Sequence, residues 1–109
     1  MEANRLAITG TVVDVGRSRV SPAGIPQHSL SIEHRSRQVE AGIAREARCR
    51  IDVKVAGEAL AGTVRQLRTG QRVAVEGFLT RKGFREGDAG IVVHATRIQV
   101  LGGETEHHE

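Results

Sequence analysis

The feature that most constrains the fold is a strict alternation of residue types over residues 47–57, "ARCRIDVKVAG". One phase of this segment is apolar: Cys49, Ile51, Val53 and Val55. The other phase is polar and mostly basic: Arg48, Arg50, Asp52 and Lys54. A period of two is typical of a strand with one buried face and one solvated face. Because free cysteine is among the most buried residue types, Cys49 is predicted to lie in the core.

Four further segments have strand character: residues 4–16, 28–36, 71–83 and 90–101. In the first, the apolar phase changes after Gly10, where a bulge or a coil in the strand would cost little. In the second, His28 and His34 fall in the same phase as two aliphatic residues. In the fourth predicted strand, Phe78 follows a glycine and is predicted to lie in the core or in another close-packed position.

The segments between the strands carry turn and helix signals. "VSPAGIPQ" is a turn punctuated by proline and glycine, and residues 35–46, "RSRQVEAGIARE", are predicted to be a loop or hairpin tip. Residues 58–70 have Leu60, Val64 and Leu67 at helical spacing, which predicts a short helix with Gly70 as its C-cap. "FREGDAG" is predicted to be a loop.

The resulting order is three strands, a short helix and two strands. This order predicts an all-β fold, the five-stranded oligonucleotide-binding (OB) barrel with its helix between strands three and four. Another small antiparallel barrel, such as an SH3-like one, is the alternative. Residues 1–101 are assigned to this single domain, and residues 102–109 to a flexible acidic tail.

The charge of the chain points to an acidic partner. Sixteen Lys and Arg against 13 Asp and Glu give a net charge of +3. Three of the acids lie in the tail, so residues 1–100 carry 16 basic and 10 acidic residues, a balance of +6. A basic domain favours a polyanion such as nucleic acid. The single cysteine excludes an internal disulfide, and no apolar run approaches the ~20 residues of a membrane span. With no secretory signal in the sequence, a cytoplasmic protein is expected.

The sequence offers little for catalysis or metal binding. His28, His34 and Cys49 are the candidate metal ligands, but no zinc-type spacing is present. The two histidines are six residues apart, roughly 20 Å along an extended strand, so they cannot share an ion. No Ser-His-Asp set is recognisable, and the glycines near residue 87 lack the Gly-Lys-Ser/Thr ending of a phosphate loop. We therefore expect no enzyme activity, cofactor or metal.

The basic residues are the strongest functional signal. On an OB barrel, strands two and three and the long loops beside them form the usual ligand face. Single-strand binding needs a basic groove together with flat groups on which bases stack. Phe84, in a loop between Gly83 and Arg85, is the better stacking candidate of the two aromatic residues. Arginine side chains could supply further stacking.

Several stretches resemble primosomal replication protein N, the PriB family: "NRLAITGTV", "RVSPAGIPQHSLSIEHRS", "ARCRI", "VEGF" and "VVHATRIQVL". "SPAGIP" followed by "EHRS" is the most specific part. The resemblance implies an OB fold, a homodimer, single-stranded DNA binding and work with the PriA helicase in replication restart. It also implies that Arg19, Arg35 and Arg85 are DNA-contacting residues. The chain departs from a well-studied relative at Arg48, where that relative has a stacking tryptophan, and at Ile43, where it has another aromatic residue.

Together these patterns predict a non-catalytic, dimeric single-stranded-DNA-binding accessory protein of the restart primosome. Its partners would be single-stranded DNA, a PriA-type helicase and other primosome proteins. One alternative is an OB-fold interaction module with weak DNA binding, and another is a general single-strand DNA-binding protein. The predicted DNA-binding residues are Arg19, Arg35, Arg48, Arg50, Lys82, Phe84 and Arg85.

Overall fold

A computed structural model describes residues 2–83 and 90–102. Its elements are β1 (Leu6–Val15), β2 (Arg19–Val20), β3 (Pro26–Glu40), β4 (Ile43–Ala56), α1 (Glu58–Arg65), β5 (Arg72–Arg81) and β6 (Ile91–Gly102). The five predicted strands correspond to β1, β3, β4, β5 and β6. The predicted turn over residues 20–27 is shorter in the structure, because Val20 belongs to the short β2 and the last two residues belong to β3.

The five long strands close into a ring. β1 pairs antiparallel with both β3 and β5, and β5 also pairs antiparallel with β6. β6 runs parallel to β4, and β4 pairs with β3 to complete the circuit. The chain thus forms the predicted OB barrel, with α1 between the third and fourth long strands.

The barrel interior is filled by aliphatic side chains. The most deeply buried are Ile32, Val12, Val53, Val55, Val73, Val75, Val92 and Val93. Val64 of α1 and Leu67 just beyond it join the same core cluster, which confirms that these two positions face inward. The alternating valines explain why the chain forms strands here, because β-branched residues pack well on a pleated, half-buried surface.

The β3–β4 connection differs from the loop predicted over residues 35–46. The two strands pair continuously out to Glu40 and Ile43, and only Ala41 and Gly42 form the turn. Both turn residues have positive φ, 52° and 78° respectively, as a two-residue hairpin turn with the correct twist requires. Polar composition suggested a loop because this part of the hairpin buries little apolar surface.

The same hairpin explains why the prediction of a buried Cys49 is wrong. Cys49 is exposed and lies opposite His34. β1 pairs with β3 only as far as Glu33, so the ladder beyond that point has left the barrel core. Alternation correctly placed Cys49 on the inward side of β4, but it could not show where the interior ends.

Two other local predictions are corrected. The bulge in β1 lies between Val12 and Asp14 and not at Gly10. Gly10 instead allows a close strand approach, since a Cβ there would lie 2.7 Å from the carbonyl oxygen of Glu33. The helix ends at Arg65, so Gly70 is not its C-cap. Gly70, with φ of 94°, forms the turn before β5, where its N–H donates to the carbonyl oxygen of Val12.

Of the two predicted placements of Phe78, the core is wrong and the close-packed position is the one observed. Phe78 is 39% exposed on the outside of β5, because the inward phase of that strand belongs to Val73, Val75 and Leu79. Its ring is stacked on His94 of β6. Gly77, the residue before Phe78, permits a close approach to β6, where a Cβ would overlap the carbonyl oxygen of His94.

In the described part of the chain, no helix is long and apolar enough to cross a membrane. Of the predicted tail, Gly102 is the last residue of β6, and residues 103–109 lie outside the described residues.

Candidate nucleic-acid interface

The outer face of the β3–β4 ladder brings together three of the predicted residues. Residues directly opposite each other in an antiparallel pair point to the same side of the sheet. The register pairs Arg35 with Arg48 and Glu33 with Arg50. The face continues through two further pairs, Ser31 with Asp52 and Ser29 with Lys54. Strand alternation alone therefore located this basic face, and the register aligned its two halves.

Acidic residues partly neutralise the positive charge of this face. Arg35 Nε lies 3.2 Å from Glu46 Oε2, and Arg48 Nη2 lies 3.8 Å from Glu33 Oε2. All four side chains are about half exposed, at 48–59%. Ion pairs this exposed contribute only ~0–1 kcal/mol, so a phosphate can replace the carboxylate at little cost.

A stronger polar cluster forms where β4 meets the end of β5. Lys82 Nζ lies 2.6 Å from Asp52 Oδ2, and Ser31 Oγ donates to Asp52 Oδ1 over 2.7 Å. The hydrogen bond from Lys82 lowers the pKa of Asp52 below its usual value, and the Ser31 hydrogen bond acts in the same direction. Desolvation opposes both effects. Asp52 is therefore held ionised in the middle of the basic face, a role the sequence did not reveal.

An open groove of about 470 Å³ runs over this cluster. Its charged lining residues are Asp14, Arg50, Asp52, Lys54 and Lys82. Three cations face two carboxylates here, so the groove attracts a phosphate backbone only moderately.

Arg19 lies at an adjoining pocket of about 330 Å³, which shares Ser29 and Lys54 with the groove. β2 positions Arg19 by pairing it with Gln27 of β3. The turn between these strands is closed by the N–H of Gly24, which donates to the carbonyl oxygen of Ser21. The Pro/Gly turn thus folds a basic residue back onto the ligand face.

The polar lining of this pocket includes residues that are not among the predicted DNA-binding residues. Arg17, Lys54 and His94 lie beside Arg19. Lys54 could have been found from the sequence, because it lies in the basic phase of β4. His94 could not, because it is far from β4 in the sequence. Only the parallel pairing of β4 with β6 brings His94 opposite Lys54.

Phe84 and Arg85, the two remaining predicted residues, lie outside the described residues. Their assignment stays a prediction.

The histidines do not form a metal site with Cys49. The ring nitrogens of His34 lie 2.7 Å from the backbone oxygen of Thr9 and 2.7 Å from Ser36 Oγ. His28 is buried, and its Nδ1 lies 2.7 Å from Ser18 Oγ. Over residues 2–83 and 90–102, no group of three or more His, Cys, Asp or Glu is arranged to hold a metal ion. Both histidines are strand residues whose ring nitrogens lie within hydrogen-bonding distance of neighbouring protein groups.

Comparison with known proteins identifies the family. Residues 4–97 match the model described as "Another single-strand binding protein family". The chain is 42% identical over 101 residues to the Replication restart protein PriB of Proteus mirabilis, covering 93% of this chain and 96% of that protein. The chain belongs to the PriB family. The resemblance inferred from "SPAGIP" and "EHRS" is confirmed.

Solved structures agree with the fold. A PriB structure from Ralstonia solanacearum has a TM-score of 0.79 at 27% identity and covers 92% of this chain and 99% of its own. The single-stranded DNA binding protein from Thermus aquaticus has a TM-score of 0.74 at 26% identity and covers 93% of this chain and 51% of its own. The barrel is therefore shared by PriB and single-stranded DNA-binding proteins.

Proposed function

We propose that this protein is a non-catalytic, homodimeric single-stranded-DNA-binding accessory protein of the replication-restart primosome. It binds DNA in the cytoplasm and stimulates or stabilises a PriA-type helicase there, together with other primosome proteins. Membership of the PriB family supports the restart role. The basic ligand face of the barrel supports the DNA binding.

The observation that carries this proposal is the continuity of the basic surface. Arg35 and Arg48 lead along the β3–β4 ladder to Arg50 in the groove, and Lys54 joins the groove to the pocket beside Arg19. A single strand laid along this path would meet a cation at each step. Arginine suits such a path because its guanidinium fork binds phosphate and its plane stacks on bases.

The direct test is fluorescence anisotropy of a labelled oligothymidylate across a salt series. The logarithm of the binding constant should fall linearly with the logarithm of salt concentration, by about 0.7 for each phosphate contacted on a single strand. A labelled duplex of equal length is the control and should bind more weakly. No binding at low salt, or binding that salt does not change, would contradict the proposal.

A second candidate function is an interaction module that chiefly docks a helicase and binds DNA weakly. The ion pairs of Arg35, Arg48 and Lys82 favour it, because each occupies a cation that DNA would need. Titrating a PriA-type helicase against the protein, with and without oligonucleotide, separates the two. If the helicase binds equally well without DNA while the oligonucleotide alone binds weakly, the second function is the correct one.

The homodimer is tested separately. We infer an interface that involves β1 and the β5–β6 region, and sedimentation equilibrium should give twice the chain mass of 11.8 kDa. A monomer at micromolar concentration would exclude this assembly.

A further inference from the structure

The pocket beside Arg19 differs from the rest of the ligand face in its charge. Its cationic lining residues are Arg17, Arg19 and Lys54, and no carboxylate occurs among the described residues that line it. The adjoining groove, in contrast, has Asp14 and Asp52 among its cations. Of these two cavities, the pocket is therefore the one in which nearby carboxylates oppose phosphate binding less.

His94 lines this pocket, and its neighbours hold its ring in a fixed orientation. The rings of His94 and Phe78 are stacked, with centroids 5.0 Å apart and an interplanar angle of 6°. His94 Nε2 also lies 2.8 Å from Thr80 Oγ1. Two independent contacts thus fix the imidazole. Little side-chain entropy of His94 is therefore lost when a ligand contacts it.

The strand register connects this ring to the ligand face. Ser29 of β3 is opposite Lys54 of β4, Lys54 is opposite His94 of β6, and His94 is opposite Phe78 of β5. Neighbouring strands are about 4.8 Å apart, so His94 is one strand spacing from the lysine that borders the groove. A DNA strand that leaves the groove at Lys54 would reach His94 next.

A buried histidine also borders the pocket. His28 is 7% exposed, and its Nε2 is buried with no hydrogen-bond partner among the described residues. Because this nitrogen has almost no exposed surface, we assign His28 no contact with a ligand.

We propose that this pocket is a nucleotide subsite in which His94 contacts one base of single-stranded DNA. Arg17, Arg19 and Lys54 bind the phosphates that flank this base, and Phe78 is a positioning residue that holds the imidazole. The volume of about 330 Å³ suits one nucleotide, since it falls at the lower end of the ~300–1,000 Å³ typical of small-ligand pockets. The inference rests on the proposed single-stranded DNA binding and assigns that DNA a path across β6.

The test compares His94→Ala, His94→Phe and Phe78→Leu with the unchanged protein. Two labelled oligonucleotides of equal length are used, one of thymidines and one of abasic residues, so that both carry the same phosphates. His94→Ala should weaken thymidine binding about 5- to 150-fold, the range for loss of one base–aromatic contact. It should leave abasic binding unchanged. His94→Phe should retain most of the affinity, and Phe78→Leu should lose part of it.

Lys54→Ala should weaken binding of both oligonucleotides, since it removes a phosphate contact. Gln66→Ala, a change at an exposed position just after α1 and away from the inferred dimer region, is the matched control and should change neither. Thermal unfolding of each variant shows whether the barrel is intact. If His94→Phe unfolds, Phe78→Leu and Lys54→Ala still test the subsite.

Two outcomes overturn the inference in different ways. If the unchanged protein binds thymidines and His94→Ala binds them equally well, or weakens both oligonucleotides alike, the base contact is wrong although DNA binding stands. If the unchanged protein binds neither oligonucleotide at low salt, the proposed function fails and the subsite fails with it.

Discussion

Asp52→Asn is expected to strengthen DNA binding by releasing Lys82. In the folded protein the carboxylate of Asp52 accepts from Ser31 and pairs with Lys82 within the groove. A phosphate that binds Lys82 must therefore displace a carboxylate at 2.6 Å. The asparagine retains an oxygen for the Ser31 hydroxyl, so the change removes the charge with little loss of packing.

The size of the gain follows from the exposure of the pair. The side chains of Lys82 and Asp52 are 50% and 34% exposed, which puts the pair among surface ion pairs of up to ~1 kcal/mol. Avoiding that cost would lower Kd by up to about fivefold at low salt. The freed lysine adds about one phosphate contact, so the salt slope should steepen by about 0.7. The affinity ratio of variant to unchanged protein should then shrink by about 2.6-fold between 50 and 200 mM salt.

The assay is anisotropy of a labelled oligothymidylate at several salt concentrations. Glu76→Gln is the matched control, because it removes the same charge from an exposed position of β5 that lines neither the groove nor the pocket beside Arg19. Lys82→Ala and the double variant complete a thermodynamic cycle. In the Lys82→Ala background, Asp52→Asn should give a clearly smaller gain.

Three results would refute this reasoning. One is that Asp52→Asn leaves both Kd and the salt slope unchanged. Another is that Glu76→Gln gives an equal gain, which would make net charge and not Lys82 the cause. An equal gain in the Lys82→Ala background would show that the two side chains act independently on DNA.

Three further predictions concern the ligand face and the core. Arg35→Ala should weaken binding and reduce the salt slope by about 0.7, whereas Arg97→Ala on β6 should have a smaller effect; equal effects in anisotropy would remove Arg35 from the interface. Ile32→Ala should reduce the free energy of unfolding by about 2–5 kcal/mol in urea titrations, since Ile32 is 0% exposed, and a loss under 1 kcal/mol would mean that the core collapses around the cavity. Because the folded protein lowers the pKa of Asp52, its contribution to stability is complete above the unfolded pKa of 3.8 and is lost as pH falls through the lowered value. Urea unfolding from pH 6 to pH 3 should therefore show less acid destabilisation for Asp52→Asn than for the unchanged protein.

Period-two patterns predicted most of the barrel because the buried positions are aliphatic and the turns are marked by glycine and proline. Val53 and Val55 are buried, and Arg48 and Arg50 are exposed, as the alternation of β4 indicated. The same patterns failed where a strand leaves the core. Cys49 and residues 35–46 belong to a ladder whose pairing with β1 has ended, and no local pattern records the absence of a neighbouring strand.

The candidate site was predictable to the extent that it lies on contiguous strands. Arg48 and Arg50 were predicted from phase and fold class and Arg35 from the family resemblance, and the structure places all three on one face. The neutralising contact between Asp52 and Lys82 was not predictable, because a lysine and an aspartate 30 positions apart carry no mutual signal in one sequence. For Phe78 the preceding glycine left the core and a close-packed position open, and its outward phase on β5 decides for the second.

The sequence by itself determined the strand-rich class, the position of the helix, the basic character of the ligand face and, through "SPAGIP" and "EHRS", the family. These properties are local, since each depends on residues within one segment. Only the tertiary structure decided which segments meet. The parallel pairing of β4 with β6 brings His94 beside Lys54, and β2 folds Arg19 back onto the same surface. Contacts between strands depend on register and ring closure, which one-dimensional alternation does not encode.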